Sequence, residues 1–194
     1  MQPRELILAS TSPRRRSLLT EHGYVFEVRT TEVDELQDAS MDPAQLVTVN
    51  ARLKALPMAV LHPACVVLGA DTVVALGGKI FGKPTSMAEA VSMLEDLNGR
   101  EHSVYSGVCL LHHAAGKESV LIERTSVRFR DLNPEQRLAY LRRINPLDKA
   151  GAYAAQDDQG ELIEGYEGSF TNVVGLPMEP LAPRLAALGV HPRR

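Results

Sequence analysis

Three groups of residues in this 194-residue chain bring together side-chain types that chemistry on a phosphate anion needs. The first is Ser10-Thr11-Ser12-Pro13-Arg14-Arg15-Arg16, directly after the apolar run Glu5 to Ser10. Ser12 followed by Pro13 is an N-cap followed by the first helical position, so the segment reads as a strand running into a helix through a tight polar turn. Hydroxyls, free N–H groups at a helix N-terminus and guanidinium forks in one turn are what a phosphate requires. A solvated first turn is the plain alternative, but three arginines there oppose the helix dipole and call for an anion.

The second group is Gly69-Ala70-Asp71-Thr72, inside the apolar stretch Ala64 to Ala75. That stretch has the character of a strand buried on both faces, and Asp71 is its one acid, expected near the sheet's edge. A buried carboxylate without a partner costs on the order of several kcal/mol, so Asp71 should meet a metal, a cation or a cluster of donors. Capping of a local turn, with Gly69 in support, is the other reading. The third group, Glu32-Val33-Asp34-Glu35, offers oxygen ligands for a hard cation such as Mg²⁺, although acidic loops are usually only solvated.

Single residues add to these. Lys54 is expected to face out of its helix, and Lys83 sits on the rigid turn Gly82-Lys83-Pro84. Gln156, after Gly151-Ala-Tyr-Ala-Ala, carries an amide that donates and accepts at once, as reading a nucleobase edge demands. His62, His102, His112 and His113 form no metal-ligand spacing, and no GxxxxGK[ST] or strand-linked GxGxxG is present.

The elements that must position these groups follow from pattern. Tyr24 to Arg29 reads as a second strand, and TTEVDELQDASMD as a loop. Asp42 and Pro43 open a helix with Leu46, Val49, Leu53 and Leu56 at helical spacing, which Pro57 should end or bend. Ser86 to Glu89 is a capping-box pattern for a helix closing at Asn98-Gly99. Two pairing strands follow, near 103–112 and 119–130, then helices from Asn133-Pro134 and over Glu179 to Leu188, with a Gly-rich region of loop and short-strand character between them. The layout is α/β with a mixed sheet, with helices packed against it and two lobes around a groove.

Composition sets outer limits. With 44% hydrophobic and 23% charged residues the chain is ordinary globular protein. A net charge of -3 provides no general basic field for nucleic acid or anionic lipid. Cys65 and Cys109, both in apolar surroundings, read as inert core thiols. No run of 18 apolar residues occurs, and the N-terminal arginines follow the apolar run, the reverse of a secretory signal; a cytoplasmic protein is expected.

In order from Leu8 to Pro177, the segments LASTSPRRRSLL, VDE, ARLKA, GADTVV, GKP, GREHSVYSG, TSVRF, DKAGAYAAQ and NVVGLP resemble the motifs of the Maf-like nucleotide pyrophosphatases. The resemblance covers nearly the whole chain. It implies one domain over 1–194, a bent mixed sheet in a fold related to the inosine-triphosphate pyrophosphatases, a homodimer, and dependence on Mg²⁺ or Mn²⁺. Arg14, Thr72 and Gln156 are similar to the signature of the branch that hydrolyses dTTP and UTP. The segment after Tyr153, AAQDDQGELIEGYEGSFTNVVG, departs from the Gly-Ile-Gln run and tyrosine pair usual in that family, which bears on base preference.

The resemblance, together with the charge that builds when water attacks an α-phosphorus, implies roles. Glu35 and Asp71 would hold the metal, with Asp71 also the base. An aspartate with a pKa near 4 is a poor base at neutral pH, so a metal that acidifies the water is implied. Ser10, Ser12, Arg14 and Arg15 would bind phosphates, Lys54 and Lys83 would offset charge on the leaving pyrophosphate, and Thr72 and Gln156 would select a pyrimidine. Two rival functions are a non-catalytic nucleic-acid-binding or division-associated protein gripping phosphates with SPRRR, and a phosphomonoesterase releasing orthophosphate.

Overall fold

The computed structural model describes residues 5–38 and 40–193; residues 1–4 and 194 of the expected domain, and Ala39 of the acidic loop, lie outside the described residues. β1 (Leu6–Leu8) is fully buried and leads into α1 (Pro13–Glu21), capped by the Ser12 side chain as its sequence indicates. β2 (Phe26–Val28) pairs parallel with β1, and a loop without regular structure connects it to α2 (Pro43–Leu61).

The long strands β3 (Val66–Leu76), β5 (Glu101–His112) and β6 (Lys117–Phe129) form an antiparallel centre, with β1 parallel to β3 on one side. The short β4 (Lys79–Phe81) hairpins back onto the end of β3, and β7 (Ile163–Glu167) closes the far edge on β6. The result is a mixed sheet in the order β2-β1-β3-β5-β6-β7, with β4 off this path. Helices α3 (Met87–Leu97), α4 (Pro134–Arg143), α5 (Phe170–Val174) and α6 (Met178–Ala187) complete the chain. The expected mixed α/β architecture is therefore found. The short α5, inside the Gly-rich stretch, is an addition.

The two largest of the cores share the long strands. One gathers β1, α1, α6 and the first half of β3 around Leu8, Leu68 and Leu181, and the other gathers α3, α4 and the second half of the sheet around Phe81, Leu94 and Phe129. Because β1 ends opposite Leu68 and β4, running back from Leu76, ends opposite Val74, that side of β3 has no strand partner from Gly69 to Val73 among the described residues. Asp71 thus lies in an interior strand at a local gap, not at the outer edge of the sheet.

Helix α2 departs from its sequence reading in three ways. It runs through Pro57 to Leu61, because Ala51, Ala55, Met58 and Ala59 pack on the sheet on both sides of the proline. Its buried face is made of those small residues with Leu46, Val47 and Asn50, while Val49 and Leu56 are exposed. Lys54 turns inward. All three follow from close contact with the sheet: a methyl group on Gly69 would overlap the Ala51 carbonyl oxygen, and one on Gly107 would lie 2.5 Å from the Val47 carbonyl oxygen. Gly69 therefore serves helix packing and not a turn.

Smaller corrections also have local causes. Ser86 caps α3, but the Glu89 carboxylate binds the Thr85 N–H and hydroxyl and not the cap residue. Cys65 is only half-buried, with its thiol 3.7 Å from Glu5; Cys109 is buried, and burial pushes its thiol up to about 12, which keeps it unreactive.

Gly107→Ala should destabilise the protein by roughly 1–3 kcal/mol, read in a chain of this size as a Tm lowered by about 2–12 °C. Gly165→Ala, where an added methyl meets nothing within 4 Å, should leave Tm unchanged. Equal effects of the two would refute the close helix-sheet contact.

Candidate active site

A cleft of about 1220 Å³ opens between the two cores at the gap in β3. Three elements build one wall: the β1–α1 turn, the acidic loop after β2, and the inner face of α2. Asn50 and Lys54 sit one turn apart on α2 and both reach Asp71. The Lys54 Nζ lies 2.8 Å from Asp71 Oδ1 and 2.8 Å from Glu35 Oε2, so one ammonium bridges two carboxylates. The Asn50 Nδ2 donates to the other Asp71 oxygen at 3.1 Å and to the Leu36 carbonyl at 3.0 Å, and the Leu36 N–H donates to Asn50 Oδ1 at 2.8 Å.

Beside this group lies the Arg15 guanidinium, only 8% exposed. Its Nε donates to the Gly175 carbonyl at 2.9 Å, Nη1 to Ser10 Oγ at 3.1 Å and Nη2 to Thr72 Oγ1 at 3.1 Å. All three acceptors are neutral, and among the described residues no carboxylate lies within salt-bridge distance of it. Burial pulls its pKa down, while the charges of Asp71 and Glu35 push the other way. Thr72 Oγ1 also meets Ser106 Oγ at 2.8 Å, so this hydroxyl is spent on holding Arg15 in place. Ser10 Oγ accepts from both Arg15 and the Ser12 N–H, which leaves its proton to donate into the cleft.

The opposite wall carries Lys83, exposed and without a carboxylate partner among the described residues, with Lys79, Glu89 and Tyr153. Arg14 spans the walls: Nη1 reaches Asp148 Oδ2 at 3.2 Å and Nη2 the Asp148 carbonyl at 2.9 Å. Partial burial raises the Asp148 pKa, but hydrogen bonds and charge from Lys149 and Arg14 outweigh it and hold this carboxyl below its usual range. Cations Arg14, Arg15, Lys54, Lys79, Lys83 and Lys149 interleave with carboxylates Glu32, Asp34, Glu35, Asp71, Glu89 and Asp148 around the lining. Such alternation suits a polyanion accompanied by a divalent cation, not a long phosphate backbone on a basic track.

A family model described as Maf-like protein matches residues 5–188. The chain belongs to the Maf-like family. This Maf-like chain is 43% identical over 188 residues to a dTTP/UTP pyrophosphatase of Pelotomaculum thermopropionicum, covering 97% of this chain and 98% of the relative. It is 44% identical to one of Moorella thermoacetica, covering 96% of each chain, and 45% identical to one of Myxococcus xanthus, covering 95% and 93%. Among solved structures it is similar to the Ham1 protein of Staphylococcus aureus, at 16% identity and a TM-score of 0.49 over 82% of this chain and 91% of that one.

In the Maf-like chain, Ser10, Ser12, Arg14, Arg15, Glu35, Lys54, Asp71, Thr72 and Lys83 all line the cleft. Gln156 is exposed and outside the lining, beyond the segment that Tyr140 ties down through Ala154. Arg16 faces a separate shallow surface with Pro13 and Phe26. Pattern reading missed Asn50, Asp148, Lys149 and Ser106. For Asn50 a signal was present: a polar residue beside Leu46, Val47 and Ala51 on the inner face of α2, four positions before Lys54.

Beneath the second wall, His102 packs edge-on against Phe129 and Tyr153 and lies 3.1 Å from the Tyr153 hydroxyl. Burial lowers its pKa to about 4. The unfolded imidazole takes its proton near 6.5, so between these values the unfolded state binds more protons and stability falls as pH falls. The loss should reach about 3 kcal/mol by pH 4. Denaturant titrations across pH 7 to 4 should show this limb in the wild type and a shallower one in His102→Gln; identical limbs would exclude His102.

Proposed function

We propose that this Maf-like chain hydrolyses nucleoside triphosphates between the α- and β-phosphates, dTTP and UTP foremost, releasing the monophosphate and pyrophosphate. One observation carries the reading: a buried guanidinium bonded only to neutral oxygens shares a cleft with two carboxylates held by a single ammonium. A buried cation without a counter-ion is costly unless an anion arrives, and a triphosphate supplies it. The relatives named dTTP/UTP pyrophosphatases match the chain nearly end to end.

The donor set also fits a hard divalent cation. Among the described residues no cluster of three or more metal-binding side chains forms, but Mg²⁺ commonly takes one or two carboxylates and completes its shell with substrate phosphates and water. Glu35 and Asp71, close enough to share one ammonium at 2.8 Å each, would hold it. When bound, Mg²⁺ or Mn²⁺ would lower the pKa of water and offset phosphate charge.

The chain's own groups supply the rest. Asp71 orients the attacking water and accepts its proton. Arg15, backed by Thr72, Ser10 and Gly175, holds phosphate oxygens in fixed geometry, so little reorganisation is needed as charge develops. Ser10 donates its free proton, Ser12 and Arg14 flank the same phosphates, and Lys83 with Lys54 offsets charge on the departing pyrophosphate. The reading of the pyrimidine edge is assigned to Gln156 on the family resemblance, and Thr72 contributes to selection through Arg15. Among the described residues no helix is long and apolar enough to cross a membrane. Action in the cytoplasm and assembly as a homodimer are part of the same proposal, the dimer on the family resemblance.

A panel of nucleoside triphosphates with Mg²⁺ or Mn²⁺, scored for pyrophosphate against orthophosphate, tests the reading. Pyrophosphate from dTTP and UTP is expected; orthophosphate would favour a phosphomonoesterase, and salt-sensitive DNA binding without turnover would favour the interaction protein. Asp71→Asn should lower kcat by at least about 10²-fold. Its Tm should stay within a few degrees of wild type, since Glu35 still pairs with Lys54; retained activity would remove Asp71 from the chemistry. Gln156→Glu should reorder substrates more than it slows the best one, and an unchanged ranking would refute base reading.

A further inference from the structure

We infer that Asn50 is the positioning residue that sets the distance between the two metal-binding carboxylates; this rests on Glu35 and Asp71 being the metal ligands. The acidic loop that carries Glu35 has no regular structure, and Leu36 is 41% exposed, so burial of Leu36 does not fix its place. One side chain holds the backbone there. Asn50, only 3% exposed, makes the reciprocal pair of amide bonds to the Leu36 N–H at 2.8 Å and carbonyl at 3.0 Å that a neighbouring strand would otherwise make.

The same Nδ2 uses its second hydrogen on Asp71 Oδ2 at 3.1 Å. A single planar amide therefore grips the backbone next to one carboxylate and the side chain of the other. Both donors and the acceptor of the amide are used, so no rotation about its terminal bond preserves the set. Lys54 cannot replace it. The ammonium contacts Glu35 and Asp71 equally and is a flexible point charge, so it attracts the carboxylates without fixing the loop backbone.

Outer partners of this kind typically change metal affinity 10- to 100-fold when removed. They do so without touching the groups that hold the phosphates, here Arg14, Arg15 and Lys83. The loss should therefore appear in metal affinity and kcat, not in KM for the nucleotide.

The test titrates Mn²⁺ into the full-length protein without nucleotide, following free ion by electron paramagnetic resonance. For Asn50→Ala the Mn²⁺ dissociation constant should rise at least about tenfold. At fixed low Mn²⁺ kcat should fall, excess Mn²⁺ should restore much of it, and KM for dTTP should change less than about threefold. Leu36→Pro, which removes the N–H from the exposed loop and leaves the core intact, should weaken Mn²⁺ in the same direction and serves if Asn50→Ala fails to fold. Wild-type Mn²⁺ affinity in either folded variant overturns the inference while wild-type pyrophosphate release leaves the proposed reaction standing. Absence of that release from the wild type would count against the reaction itself.

Discussion

The closeness of α2 to the sheet governs much of this molecule. Alanines on the helix and glycines at 69 and 107 on the strands let the two backbones approach until no side chain fits between them. A helix held at that distance carries short polar side chains directly to the strand beneath. Asn50, a short side chain, meets Asp71 within hydrogen-bonding distance, and the longer Lys54 reaches it one turn on. Packing and chemistry are here one constraint, because the contact that excludes a methyl group at Gly69 also sets the height of the ammonium above the carboxylate two residues on.

Charge in the cleft is arranged by unequal satisfaction. Asp71 is partnered on both oxygens, and Glu35 shares its cation. Arg15 is sealed by neutral oxygens from three separate elements, a costly state in a low-dielectric site unless a ligand compensates. The same oxygens leave two of its five N–H groups for that ligand. The bridge from Arg14 to Asp148 links the two walls, so the cleft comes with a contact that triphosphate binding would have to rearrange or use.

Much of the frame was legible in order along the chain. Ser12-Pro13, Asp42-Pro43 and Asn133-Pro134 marked helix starts correctly because capping is local: a side-chain oxygen and the next few N–H groups decide it. The pairing of β5 with β6 was legible from two adjacent apolar runs joined by a short link. Ending α2 at Pro57, one of the two outcomes expected there, and pointing Lys54 outward misled for a common reason. Local rules weigh a residue against its own helix, whereas here contact with β3 and β5 outweighed the lost backbone bond and turned the lysine inward.

The sequence by itself determined which groups were available: an arginine turn after a strand, one acid in an apolar run, an acidic loop, and a set of motifs whose order places the chain in its family. Such features are legible because each depends on residue type and near neighbours. Only the tertiary structure decided which groups meet. That Arg15 and not Arg16 enters the cleft, that Lys54 bridges Glu35 and Asp71, that Asn50 ties a loop fourteen positions away to a strand twenty-one positions away, and that Gln156 stands outside the lining all depend on contacts between distant segments. No spacing rule encodes them, because the distance across a cleft is fixed by how a helix and a sheet pack and not by the number of residues between them.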